Sequence, residues 1–290
     1  MKNPKIPIEY GSELEGFYFQ HLSRKSHFER NNHYHAAYEI YFLISGNRHY
    51  FIKDRFYLAQ AGDIIFINKY DVHKTLPVDH LQPEHERVLV NFSEAYLGIS
   101  HLYQTPSLLN IFQSTSNLYR LSPHDIDYVR YLFNRMAHEV ENKEAGFEIY
   151  LRLLLTELLL FSERLDNKYP LLTEINPSSL HGRITHVVKY IDANFSEKIS
   201  LEQVAQLVFI SPAYLSRNFR AITGFTFVGY IQHVRIRHAK HLLLESNQKM
   251  SEIAAAVGFD NFTHFNRTFK KLVLTNPLKY RMDNQTHQKN

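Results

Sequence analysis

Two stretches in the C-terminal third of this chain are copies of one another, and that duplication restricts the possible fold more than any other feature. Val204-Ala205 matches Ile253-Ala254, and Ile210 matches Phe259, at an offset of 49. Leu215, Arg217, Phe219, Arg220 and Tyr230 match Phe265, Arg267, Phe269, Lys270 and Tyr280 at an offset of 50, so one residue has been added in between. Each copy reads as a helix, a short turn and a second helix. Ser200 caps 201–208, and Ser211-Pro212 starts a helix that Gly224 ends. In the second copy Ser251 precedes 252–257, Gly258 turns the chain, and Asn261 opens a helix running to about Leu272. This is a helix-turn-helix written twice. Between the copies, 228–244 reads as a longer helix with Ile231, Val234, Ala239, Leu242 and Leu243 inward and Arg235, Arg237 and Lys240 outward.

Helical spacing then sorts each second helix. Leu215, Phe219 and Ile222 form one stripe, leaving Ala213, Ser216, Arg217 and Arg220 on the other face; Phe265, Phe269 and Leu272 do the same, leaving Thr263, Asn266, Arg267 and Lys270. Arg, Asn, Ser and Thr are the side chains that read base edges in the major groove, while outer cations such as Arg220 and Lys270 suit phosphates. Charge agrees. Residues 181–290 hold 15 Lys+Arg against 7 Asp+Glu, whereas residues 1–180 hold 18 against 22, so the formal charge of +4 hides a basic tail on a mildly acidic front. A basic module of this kind is suited to a polyanion.

With 290 residues and 44% hydrophobic content, two globular domains are expected. The absence of cysteine excludes disulfides, thiolate zinc sites and cysteine nucleophiles. The first residues lack the apolar core of a secretory leader, and the run 151–161 is interrupted by Arg152 and Glu157, so a cytoplasmic protein with no membrane partner is expected. In the front half, 38–44, 49–52, 56–59, 63–67 and 88–92 read as short strands, with a turn at Ser45-Gly46-Asn47, suggesting an antiparallel barrel or sandwich over 1–118. Ser122-Pro123 then opens a helix carrying Ile126, Val129, Leu132, Phe133, Met136 and Val140, and 147–161 makes a second, leucine-rich one. This hairpin, 119–165, has an apolar face broad enough either to pack on the barrel or to form a dimer seam. Residues 166–183, with two prolines, read as the linker to a helical domain over 184–282.

The ordered pattern SLEQVAQLVFISPAYLSRNFRAITG, YIQHVRIRHAKHLLLES and MSEIAAAVGFDNFTHFNRTFKKLVLTNPLKYR resembles the DNA-binding domain of the AraC family of transcription regulators over roughly 100 residues. The resemblance implies seven helices carrying two helix-turn-helix units, each placing its second helix in the major groove, one turn of B-DNA apart. It puts Ala213, Ser216 and Arg217, and Thr263, Asn266 and Arg267, at base-reading places. Two positions depart from the family: Leu274 stands where a glycine is usual, with Asn276 before Pro277, and Phe227 stands where the first unit has proline.

In the front half, His33-Tyr34-His35, Glu39 and Gly46, then Gly62-Asp63 and His73, resemble the two cupin motifs, without the usual glycine before the first histidine. Cupins gather such residues inside a β-barrel, often around a divalent metal, for which imidazole and carboxylate are suitable ligands. The expected fold is therefore α+β in two domains, a cupin-like antiparallel β-barrel with its hairpin and an all-α domain. Three readings of His33, His35, Glu39 and His73 stay open: metal ligands, polar lining of an effector pocket, or structural histidines. Tyr41 and Arg48 join the pocket reading, and family analogy makes 4–16 an arm over it. No organic cofactor and no catalytic residue are expected; a divalent metal is the alternative. The leading expectation is a homodimeric regulator, not an enzyme, that binds promoter DNA, answers to a small effector of carbohydrate type and contacts RNA polymerase. A metal-dependent cupin enzyme with a DNA-binding tail is the second reading.

Overall fold

The computed structural model describes residues 6–12, 15–24, 37–53, 55–78, 84–98, 106–170 and 180–285, and the chain divides into two compact units, residues 1–175 and 176–290. The first unit contains strands β1 (Ile8–Ser12), β2 (Phe17–Arg24), β3 (Tyr38–Ser45), β4 (Asn47–Ile52), β5 (Arg55–Gln60), β6 (Asp63–Ile67), β7 (His73–Pro77), β8 (His85–Phe92) and β9 (Leu118–Arg120). They form a six-stranded sheet in the order β1-β2-β8-β3-β6-β9 and a three-stranded sheet in the order β5-β4-β7, antiparallel throughout. This is the cupin-like arrangement expected. Gly46, at φ 85, makes the turn between β3 and β4, where a Cβ would come 2.5 Å from the Glu84 carbonyl oxygen.

Strand parity divides the side chains into two cores. Ile40 and Phe42 of β3, Ile64 and Phe66 of β6, and Val88, Val90 and Phe92 of β8 share one apolar cluster with the helices. Tyr41 and Leu43, Ile65 and Ile67, and Leu89 point the other way and meet Tyr50, Ile52, Tyr57 and Ala59 of the smaller sheet. Helix α1 (Glu94–Leu97) and a 3-10 helix (Pro106–Gln113) precede the hairpin of α2 (Pro123–Asn142) and α3 (Phe147–Ser162). Ser122 caps α2 by accepting from Asp125 N, and Gly146 at φ 84 starts α3. Leu151, Leu154, Leu155, Leu158 and Leu159 are all buried in the cluster shared with the large sheet. The leucine face therefore packs on the barrel, each leucine contributing about 1.5–3 kcal/mol of burial.

Two stretches differ from expectation. Ile8–Ser12 pairs along β2 with Ile8 buried, making an edge strand where an arm was expected. The first unit also runs on into the span read as linker: Leu165–Lys168 is a helical turn (α4) whose Leu165 is fully buried. There Asp166 accepts from the Ser114 and Tyr119 hydroxyls, and the Tyr169 hydroxyl donates to Asp125 and accepts from Ser122 N. Asp166 and Tyr169, at the start of the span read as linker, are thus hydrogen-bonded inside the unit.

The second unit has seven helices among its described residues: α5 (Leu180–Ala193), α6 (Leu201–Leu207), α7 (Pro212–Thr223), α8 (Phe227–Glu245), α9 (Met250–Ala256), α10 (Phe262–Val273) and α11 (Pro277–Gln285). Helix α5 begins ahead of residue 184, inside the span read as linker. Helix α9 begins before Ser251, because the Glu252 carboxylate accepts from the Lys249 backbone N at 2.9 Å and closes a turn earlier. The cations of α8 are engaged: Arg235 donates to the Phe195 and Glu197 carbonyls, Arg237 pairs with Asp192, and Lys240 lies over the Tyr280 ring. These side chains tie α8 to its neighbours, which replaces the outward role read from spacing.

Candidate nucleic-acid interface and barrel interior

The duplication is a three-dimensional one. In the first copy Ile210 N donates to the Ala205 carbonyl at 3.1 Å and in the second Phe259 N donates to that of Ala254 at 3.0 Å, so the two turns close alike. Each turn has a left-handed residue at the same step, Phe209 at φ 55 and Gly258 at φ 85. Glycine is needed in the second because a Cβ there would meet the Ser196 carbonyl oxygen at 2.6 Å, whereas Phe209 projects into open solvent, 90% exposed. Ser211 caps α7 by accepting from Tyr214 N, and Asn261 caps α10 by accepting from His264 N. Behind them the Phe219–Tyr230 rings meet at 5.5 Å and 80°, and the Phe269–Tyr280 rings at 5.7 Å and 70°. The added residue is Asp260, ahead of the second cap.

This framework sets the outward faces. Leu215, Phe219 and Ile222 are buried, as are Phe265 and Phe269, and that orientation exposes Ala213, Ser216, Arg217 and Arg220 on α7 and Thr263, Asn266, Arg267 and Lys270 on α10. All eight residues singled out in the sequence thus face solvent. Arg217 stacks over the Tyr214 ring at 6.0 Å, which gives that guanidinium a preferred orientation.

The barrel interior is the second candidate. His33 and His35 lie outside the described residues. Glu39, Tyr41 and His73 are buried together between the sheets. The Tyr50 hydroxyl donates to Glu39 Oε1 at 3.1 Å, His73 Nε2 lies 3.6 Å from Glu39 Oε2, and His73 Nδ1 donates to the Asp71 carbonyl at 2.9 Å. Two of the four expected metal ligands are therefore side by side, but among the described residues no group of three or more His, Asp or Glu is assembled to hold a metal ion. Sequence reading did not find Arg87, Asn91, Tyr50 and Tyr57. The signal was present: in β8 the polar Arg87 and Asn91 alternate with apolar residues and pair in register with Leu43 and Glu39. Burial raises the pKa of the Tyr41 hydroxyl while the nearby Arg87 and Arg48 guanidiniums pull it down, and burial next to Glu39 raises that of Tyr50 further.

An AraC-like ligand-binding domain matches residues 16–159, and a helix-turn-helix domain matches residues 204–283. Together they span more than two thirds of the chain, in the order that the two sheets and the duplicated helices lead one to expect.

The chain belongs to the AraC family of transcription regulators.

Its AraC-type helix-turn-helix domain is 40% identical over 95 residues to the bifunctional transcriptional activator/DNA repair enzyme AdaA of Bacillus subtilis, a match covering 33% of this chain and 45% of that protein. A longer match, 26% identical over 250 residues, is to an uncharacterized HTH-type transcriptional regulator of Staphylococcus aureus; it covers 84% of this chain and 31% of that protein. This AraC-family chain thus spans less than half the length of either relative. Among solved structures, the C-terminal domain of AraT, a response regulator from Geobacillus stearothermophilus, is 34% identical, with 37% of this chain and 88% of that one covered and a TM-score of 0.35. No helix among the described residues is long and apolar enough to cross a membrane.

Proposed function

We propose that this chain is a cytoplasmic, effector-controlled regulator that binds promoter DNA through both α7 and α10. The observation that carries this reading is the paired exposure of Ser216, Arg217 and Arg220 with Asn266, Arg267 and Lys270 on two helices built alike. Arg217 and Arg267 read bases, Asn266, Ser216 and Thr263 add hydrogen bonds, Ala213 offers an apolar contact, and Arg220 and Lys270 hold phosphates. The first unit senses a small metabolite, a carbohydrate or a relative of one, with Glu39, Tyr41 and His73 in the lining and His33 and His35 as further candidates. An effector alters DNA occupancy only by binding one arrangement of the protein better than another. RNA polymerase is the expected further partner. The reading is of a regulator and not of an enzyme.

A homodimer completes the proposal. With the leucine face of α3 spent on the sheet, Ile149, Leu153 and Leu160 form an apolar row on its opposite side, each at least half exposed. Two copies joined there carry four recognition helices, raising affinity for repeated half-sites through effective concentration.

The test is quantitative binding to a duplex that the unaltered chain selects from a random pool. Arg217→Ala and Arg267→Ala should each cost about 1–3 kcal/mol, or roughly five- to 150-fold, on the specific site and little on unrelated duplex. Equal affinity for the specific site in both variants and the unaltered chain overturns the assignment.

A further inference from the structure

Among the described residues, the barrel interior carries a buried cation with an unmatched N–H group. Arg87 is 9% exposed and lies on the inward face of β8, beside Leu43 in the register of β3. Its Nη2 donates to Gln20 Oε1 at 2.7 Å and its guanidinium carbon sits 5.6 Å from the centre of the Tyr41 ring, yet Nη1 has no hydrogen-bond partner among the described residues. The Tyr41 hydroxyl next to it is equally buried and equally unmatched. Arg48, 4% exposed, adds a second guanidinium near that hydroxyl. The acids on these walls are occupied: Glu39 takes the Tyr50 hydroxyl and faces His73, and Asp63 is paired with Arg120 at 3.0 Å. A buried polar group left unmatched is costly, and two unmet donors on neighbouring side chains describe a place for an acceptor.

Resting on the sensor reading above, we infer that the effector carries an oxyanion, a carboxylate or a phosphate, and that Arg87 and the Tyr41 hydroxyl hold it, with Arg48 supplying further positive potential. Arginine is suited to this because its planar fork meets two oxygens of one acid group. The body of the effector rests on Tyr50, Tyr57, Ile65 and Leu89, which line the same interior.

Thermal unfolding of the full chain at constant ionic strength tests the inference, with D-glucuronate, D-glucose 6-phosphate and benzoate as anionic probes and D-glucose and benzamide as their neutral counterparts. At about 20 mM, at least one anion raises Tm by about 3 °C or more while its counterpart does not. The rank of glucuronate against the sugar phosphate distinguishes carboxylate from phosphate. Arg87→Gln removes the shift, and Tyr41→Phe, which deletes a single oxygen and decides the matter if the arginine variant does not fold, weakens apparent affinity about tenfold or more. The inference is overturned if no anion stabilises, if glucose or benzamide stabilises as well as the anions do, or if the folded variants keep the full shift. A shift with glucose alone leaves the sensor reading standing and removes the acid; the sensor reading itself falls only if no metabolite alters promoter occupancy.

Discussion

Single residues in this chain show where an amino acid has been retained against its own conformational preference. Leu274 follows α10 at φ 61, in a left-handed cap position that favours glycine, and its side chain is 88% exposed. Its N donates to the Lys270 carbonyl at 3.0 Å, so the cap bond is made and the strain is local. A left-handed L-residue costs roughly 1–2 kcal/mol, part of which glycine gives back through the entropy of its unfolded state. Leu274→Gly should therefore raise the stability of the second unit by about 1 kcal/mol, read as a higher urea midpoint with unchanged slope. An unchanged or lower midpoint contradicts that account. The departure itself is legible in the sequence. That the cap keeps its left-handed form is not, because a leucine gives no local reason to expect it.

At the scale of elements, recognition succeeded where periodicity was strong and failed where strands are short or interrupted. The helices α2, α3, α7 and α10 follow from caps and 3.6-residue stripes, and β3 and β6 from aromatic and β-branched runs. Four strands went unread. Gly11 at φ 77 breaks the pattern of β1, Pro77 ends β7, β9 has only three residues, and β2 alternates between the helix-side core and a half-exposed face. Such edge and short strands owe their existence to partners far along the chain, which local propensity does not report. The register of β8 with β3 likewise brings Arg87, Asn91 and Glu39, residues distant in sequence, to one face of the sheet.

Two predictions belong to elements. Helix α8 stacks His238 on Phe195 at 3.8 Å, and burial, reinforced by Arg237 and opposed by Asp192, lowers the His238 pKa below its ordinary 6.5; burial lowers that of His181 as well. The unfolded chain then binds the proton more readily than the folded one, so stability is fully present above about pH 6.5 and declines as pH falls below that value. His238→Phe keeps the stack and should flatten that decline in a series of thermal melts; an unchanged pH slope contradicts it. Helix α3 supplies the other: Leu153→Glu should turn the proposed dimer into a folded monomer in sedimentation velocity, with its far-ultraviolet spectrum unaltered. A variant that sediments as the parent does removes the α3 seam.

For the whole molecule, the division of charge anticipated the division of labour. The basic tail coincides with the unit of duplicated helices and the acidic front with the two sheets, so the two domains were legible in the sequence, and the proposed polyanion partner rests on the same division. The proposed effector pocket was less so, since its lining is assembled by sheet pairing and not by a contiguous motif. The central claim is that the two helices, α7 and α10, which the Phe219–Tyr230 and Phe269–Tyr280 packing builds alike, engage one duplex together. Hydroxyl-radical footprinting of the full chain on its promoter measures this most directly. The account predicts two protected patches on one face of the DNA, about 10–10.5 base pairs apart within each half-site, with Arg217→Ala erasing one and Arg267→Ala the other. A single patch, or two patches on opposite faces of the helix, would contradict it.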